Sequence, residues 1–219
     1  MTFCFLLTHL LTDGLKKYNS QEVKQGMIVI NSMKSLIFIA ISLFTHICSH
    51  AHAISSSGLL HPLNGIDHLI AMIAVGAYSV QLGGRAIYMV PLSFLAAMLV
   101  GGIIGFEQYI LYYTELGIAL SVALLGVAIG LREKLSLWLA AIGVGLFGIC
   151  HGYAHGEELP FAENQFSYAA GFMFTTACLH LIGAIGADLI QKRIHNGDRL
   201  LQGLGFISAF VGVGLIFQL

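Results

Sequence analysis

From residue 62 to the end of the chain, apolar residues fall into six long runs, roughly 62–81, 86–106, 112–131, 135–152, 166–188 and 200–218, and charged residues collect in the gaps between them. Each run is about 17–23 residues, the length at which a helix crosses about 30 Å of hydrocarbon. The pattern predicts an all-α integral membrane protein, a six-helix transmembrane bundle. A further, shorter apolar stretch, "SLIFIAISLF", follows Met33-Lys34 and is itself followed by "CSHAHA". A basic start, an apolar centre of about ten residues and a small-x-small end describe a secretory signal peptide, with cleavage expected after Ala53. A retained first helix over 35–53 is the alternative. Residues 1–53 are therefore read as a leader that contains a signal peptide (about 33–53), and 54–219 as one six-span domain. The stretch before Met27 and Met33 reads as an upstream extension or a mis-assigned start.

The distribution of basic residues orients the spans. Arg85 lies in the first gap, Arg132 and Lys134 in the third, and Lys192, Arg193 and Arg199 in the fifth. The second and fourth gaps hold no Lys or Arg, only Glu107, Glu157, Glu158 and Glu163 nearby. The positive-inside rule puts the first, third and fifth gaps in the cytoplasm of a multi-pass protein of the inner (plasma) membrane, and both mature termini outside. A signal peptide that delivers the N-terminus outward agrees with this orientation.

Composition supports the class. Of 219 residues, 57% are hydrophobic and 10% charged, against about 25% charged in soluble domains; the mean hydropathy is +0.85. A net charge of −1 argues against a nucleic-acid partner that would need a basic face. Four cysteines form neither a disulfide framework nor a CxxC zinc signature. Many of the 26 glycines stand at small-xxx-small spacing, such as Gly101/Gly105 and Gly126/Gly130, which reads as close helix packing in lipid.

Ten histidines, as many as Lys and Arg together, are the chemical anomaly. "HPLNGIDHLI" at 61–70 places His61, Asp67 and His68 at the outer edge of the first span. Pro62 reads as a first helical position with His61 as the cap. His61 and His68, seven residues apart, then share a face about 10 Å apart along the axis. They fit two stations on a path better than one shared ion, unless Gly65 breaks the helix. The second cluster, "CHGYAHGEELP" at 150–160, sits at the outer end of the fourth span. His151 and His155 there have the i, i+4 spacing at which two imidazoles can face one ion on a helix. Topology thus brings both histidine clusters to one side of the membrane. Glu115, read as about a turn inside the third span, and His180, near the middle of the fifth, are the other ionisable groups at depth. Such groups face a bundle interior or a polar pathway. Imidazole with carboxylate suits nickel, cobalt, zinc or copper, and geometry must select among them. Cys150 and Cys178 read as packing residues, Asp188 as an interfacial charge beside Lys192, and Tyr109, Tyr112, Tyr113 and Trp138 as interface aromatics.

"HPLNGIDHLIAMIAVG" with the following "GGRAIYMVP", and "CHGYAHGEELP", resemble the first two helices and the fourth-helix signature of the HupE/UreJ family of nickel and cobalt permeases. "ELGIALSVALLGVAIG" and "YAAGFMFTTACLHLIG" fall where that family's third and fifth helices do. The resemblance covers about residues 58 to 219. It implies a secondary transporter, not an enzyme, that carries Ni²⁺ (or Co²⁺, or Zn²⁺) inward for hydrogenase or urease maturation. The ion is bound transiently, with no prosthetic group, and cytoplasmic metallochaperones are the implied partners. Carried onto matching positions, His61, Asp67, His68, His151 and His155 are the implied metal site, and Glu115 and His180 a transport pathway. Tyr153 departs from the family's frequent His-Gly-His-Ala-His, removing one implied ligand. On this reading neutral imidazoles capture the ion at the outer face, and binding weakens as pH falls because protonated His cannot ligate. No GxxxxGK[ST] motif is present to couple ATP. Two rivals remain open: an intramembrane zinc metallohydrolase, although the chain has no HExxH, and a metal-donating membrane protein that does not transport.

Overall fold

The computed structural model describes residues 56–157 and 164–219, and the regular elements there are helices. In chain order they are α1 Ser56–Asn64, α2 Ile66–Leu82, α3 Ala86–Phe106, α4 Thr114–Leu131, α5 Leu137–Glu157, α6 Gln165–Arg193 and α7 Gly197–Ile216. The expected signal peptide and its cleavage after Ala53 lie outside the described residues, as do Glu158 and Glu163. The fold is the expected all-α one. Five helices, α3 to α7, are long and apolar enough to cross a membrane singly. The helix α2 has 17 residues, about 25 Å of rise, and α1 precedes it across a break.

That break corrects the expectation for the first span. Residues 62–81 do not form one helix capped by His61. Helix already begins at Ser56, so His61 and Pro62 lie inside α1, and the chain interrupts at Gly65, whose φ of −97° and ψ of 120° are extended. The single-face geometry inferred for His61 and His68 therefore does not apply, since the two sit on different helices. The helix α5 runs past the apolar run's rough end at 152 to Glu157, so His151 and His155 have the helical spacing read for them.

The outside of the bundle is apolar. Leu92, Leu99, Ile103, Leu146, Ile207 and Phe210 are all exposed, the inverse of a soluble surface and the expected condition for helices solvated by lipid. Lipid gives no hydrophobic drive for helices to associate, so close backbone approach has to supply the packing. Glycines provide it in several helix pairs. Between α3 and α5, a Cβ at Gly101 would strike the Ile149 carbonyl, at Gly105 the Tyr153 carbonyl, at Gly152 the Met98 carbonyl and at Gly156 the Gly102 carbonyl. Both members advance together along this contact, so the two helices are parallel. Gly126, Gly205 and Gly212 bring α4 and α7 together in antiparallel fashion, and Gly76 and Gly183 bring α2 against α6. The helix α2 runs through the middle and meets each of the other six.

Short connections make α2 to α7 alternate in direction, so Arg85, Arg132, Lys134, Lys192 and Arg193 share one end of the bundle. There Arg132 Nη1 pairs with Asp198 Oδ2 at 2.9 Å, tying the α4–α5 turn to α7, and Tyr78 donates to the Glu133 carbonyl at 3.0 Å. Lys192 and Asp188 form the expected interfacial pair at 2.7 Å. Tyr109, Tyr112 and Tyr113 are exposed at the opposite end and Trp138 at the basic end, as interface aromatics should be.

Candidate metal-binding site

The end opposite the basic residues gathers imidazoles from two helices far apart in sequence. The His68 ring centroid lies 4.8 Å from that of His151 and 5.0 Å from that of His155, edge to face in both cases. His151 and His155 stand one turn apart on α5, as their spacing predicts, and both are fully buried. His155 also stacks on Phe172 of α6, at 4.8 Å and 17°. The two histidine clusters thus meet as topology required.

The orientations of the His68, His151 and His180 rings follow from what one nitrogen of each contacts. Asp67, in the first turn of α2, accepts through Oδ1 from its neighbour's backbone N–H (2.7 Å) and from His68 Nδ1 (2.9 Å). A carboxylate can only accept, so the proton sits on Nδ1 and His68 Nε2 carries the lone pair. For His151, the Ser121 hydroxyl donates to the Ile118 carbonyl at 2.6 Å. Its oxygen is then the acceptor for His151 Nε2–H at 3.0 Å, and Nδ1 carries the lone pair. Deeper in the bundle, His180 Nδ1–H donates to the Met72 carbonyl at 2.8 Å, leaving Nε2. The three nitrogens left over, His68 Nε2, His151 Nδ1 and His180 Nε2, are buried and have no hydrogen-bond partner. Buried polar atoms are nearly always satisfied, and an imidazole held by an acceptor at one nitrogen with the other free is the arrangement of a metal-ligating histidine.

Gly65 makes room for the Asp67–His68 pair. A Cβ there would come within 2.6 Å of Asp67 Oδ1 and 3.1 Å of His68 Nδ1. The fully buried Phe94 of α3 lies between the levels, its ring centroid 5.4 Å from His151 and 5.1 Å from His180.

The remaining sequence candidates are placed less centrally. His61 is on α1, with its side chain outside the described atoms. Glu115 is exposed in the first turn of α4, not a turn inside the span. The α3–α4 loop, with Gln108 and Tyr113 in the left-handed region, delays the helix start to Thr114, and no described contact joins Glu115 to the imidazoles. Tyr153 is buried and donates to Glu157 Oε1 at 2.9 Å while accepting from the Leu111 N–H at 3.3 Å. It ties the α3–α4 loop to α5 rather than joining the rings. Cys150 packs its sulfur over Gly117, a packing role as expected. Among the described residues, no three His, Cys, Asp or Glu side chains are arranged around a single ion. Ser121, Phe94 and the Met72 carbonyl escaped sequence reasoning; a serine inside an apolar run carries no sign of the ring it will meet.

Comparison with known proteins agrees with the architecture. The chain matches the HupE / UreJ protein family over residues 34–215. It belongs to that family. It is also 40% identical over 169 residues to Protein HupE of Rhizobium leguminosarum bv. viciae, covering 74% of this chain and 88% of that protein. No solved structure matches. All the side chains of the imidazole cluster lie inside the HupE/UreJ match, as do Ser121, Phe94 and His180. With its apolar helices, membership makes the chain a multi-pass membrane protein.

Proposed function

We propose that this chain is a secondary permease that carries Ni²⁺ inward across the cytoplasmic membrane, with Co²⁺ or Zn²⁺ as the competing cargo. The reading rests above all on the lone pairs of His68 and His151, buried and unpartnered on adjacent rings at one end of the bundle. Imidazole nitrogen is a preferred donor for borderline divalent ions. The relative's name, HupE, and the family's link to nickel supply favour that cargo. The positive-inside rule turns the histidine end outward, so the ion is captured outside and released at the basic end, to hydrogenase or urease metallochaperones. Asp67 holds the His68 ring and partly offsets the incoming charge, whose unpaired transfer into hydrocarbon would be prohibitive. The edge-to-face rings turn toward a shared ion as it binds, and His61 of the preceding helix is the further ligand proposed.

The test is uptake of radioactive Ni²⁺ into cells that lack their own importer. Wild type should accumulate it well above the vector control. Absence of uptake, with the purified protein still binding Ni²⁺, would replace transport by metal donation or hydrolysis.

Gly65→Ala probes the capture end without removing a ligand. The φ at Gly65 suits alanine, so the break itself survives, but the added methyl has to displace the Asp67–His68 pair. Ni²⁺ affinity of the purified protein should fall roughly tenfold, the usual cost of disturbing a ligand's orienting partner, with the melting temperature little changed. Unaltered affinity by calorimetric titration would remove the pair from the site.

A further inference from the structure

At the middle of the bundle, α2, α3 and α6 bring together a set of groups that the capture site leaves unused. Thr176 and His180 lie one turn apart on α6, on one face of that helix. The Thr176 hydroxyl is 3.4 Å from Met72 Sδ and 3.9 Å from Met98 Sδ, and His180 is bonded to the carbonyl of that same Met72. Met72, Met98 and Thr176 are completely buried and His180 nearly so.

The hydroxyl is the informative group. Ser79, Ser93, Ser121 and Thr114 each donate to a backbone carbonyl three residues earlier, and Thr175 donates to the Leu59 carbonyl at 2.9 Å. Those are good acceptors in an apolar surrounding. Thr176 instead faces two thioethers, which accept only weakly. Its sulfur partners converge on one hydroxyl while His180 Nε2, one turn away, is buried without a partner. Packing alone would be met by Leu in place of either methionine and needs neither an unsatisfied imidazole nor a hydroxyl spent on sulfur.

We propose that Met72 Sδ, Met98 Sδ and His180 Nε2 form a second cation station in the centre of the bundle, built of soft and borderline donors, to which the ion passes from the His68–His151 end. This rests on the transport reading for its place on a path, though not for its ligands. Phe94, packed against both His151 and His180, marks how close the two levels lie. Thioether and imidazole donors favour soft and borderline cations over Mg²⁺, Ca²⁺ and Mn²⁺, which prefer oxygen. The station therefore screens the cargo after the capture end has admitted it. All three donors are neutral, so a divalent ion is held there weakly, as a step that must also release its ion requires. A soft monovalent ion is held more firmly, which makes Ag⁺ the suitable probe.

The experiment uses the full chain labelled with selenomethionine and loaded with Ag⁺, read by X-ray absorption at the silver edge. A silver–selenium shell reports methionine alone, free of any contribution from cysteine thiols. It is expected in wild type, lost in the volume-conserving Met72→Leu/Met98→Leu double variant, and kept in His68→Ala. In cells the same double variant should lower Ni²⁺ uptake roughly tenfold, as loss of metal affinity on that scale would, at equal membrane abundance. No silver–selenium shell in wild type, a shell that survives in the double variant, or wild-type Ni²⁺ uptake by that variant overturns the proposal. Failure of wild type itself to take up Ni²⁺, with the silver–selenium shell present and lost as expected, overturns the transport reading and leaves the station standing.

Discussion

Gly152→Leu should all but eliminate the protein from the membrane fraction. Any side chain at this position starts with a Cβ driven into the Met98 carbonyl. That obstacle is backbone, which cannot swing aside as the end of a flexible side chain could. Gly101, Gly105, Gly148 and Gly156 hold the same α3–α5 contact at the same close range, so α5 cannot retreat at one point without opening the whole seam. Overpacking a core costs about 1–3 kcal/mol where side chains can adjust, and here the cost lies at or above the top of that range. Against a typical total of about 5–15 kcal/mol, such a loss hands the chain to cellular proteolysis. Because Gly152 follows His151 directly, any surviving fraction would carry a displaced imidazole and, on the transport reading, show no uptake. Gly143→Leu is the matched control, since a Cβ at that position on the same helix meets nothing within 4 Å. Immunoblots of membranes should show Gly143→Leu at wild-type abundance and Gly152→Leu close to background. Equal abundance and equal melting temperatures would mean that α3 and α5 do not pack through this seam.

The same glycines explain where sequence reading succeeded and where it stopped. Small-xxx-small spacing at Gly101/Gly105 and Gly126/Gly130 read as helix contact and is helix contact, because the pattern depends only on the helical repeat. In "HGYAHGE" the helical i, i+4 reading of His151 and His155 held, since α5 runs through to Glu157. That Gly152 and Gly156 serve α3 was not legible, because a local reading has no access to the partner that uses the missing side chain. At the first span Pro62 looked like a helix start, but helix begins at Ser56; the discontinuity is at Gly65, the break that the sequence allowed. The convergence of His68 with His151 and His155 was legible because it follows from the number of crossings between them. Which nitrogen each ring turns inward was not, since it depends on Ser121, Asp67 and the Met72 carbonyl, contacts that only the packed bundle creates. Glu115 shows the same limit, because its depth hinged on where a loop with two left-handed residues lets α4 begin.

Substitutions at the imidazole cluster should separate ligands from the groups that orient them. On the transport reading, His68→Ala and His151→Ala each remove a buried lone pair from the capture end, and Ni²⁺ uptake should fall on the order of 100-fold, to the vector background. His68→Ala takes one donor from the partly buried Asp67, which keeps its bond from the residue-68 backbone N–H, and Ser121 keeps its bond to the Ile118 carbonyl when His151 is gone, so membrane abundance should fall little. Asp67→Asn behaves differently. Its side-chain oxygen still accepts from the His68 backbone N–H and from His68 Nδ1, so the ring stays aimed, while the negative charge that helps offset a divalent ion is lost. An intermediate loss, roughly tenfold, is expected, expressed in apparent affinity more than in maximal rate. His195→Ala, exposed at the basic end, should transport as wild type. If Asp67→Asn were as inactive as His68→Ala, the carboxylate would have to be a ligand in its own right and not mainly the holder of the ring. If His151→Ala transported normally while His68→Ala did not, the ion would enter along α2 alone. The edge-to-face contact between the two rings would then be packing, and the unpartnered Nδ1 of His151 would need another explanation.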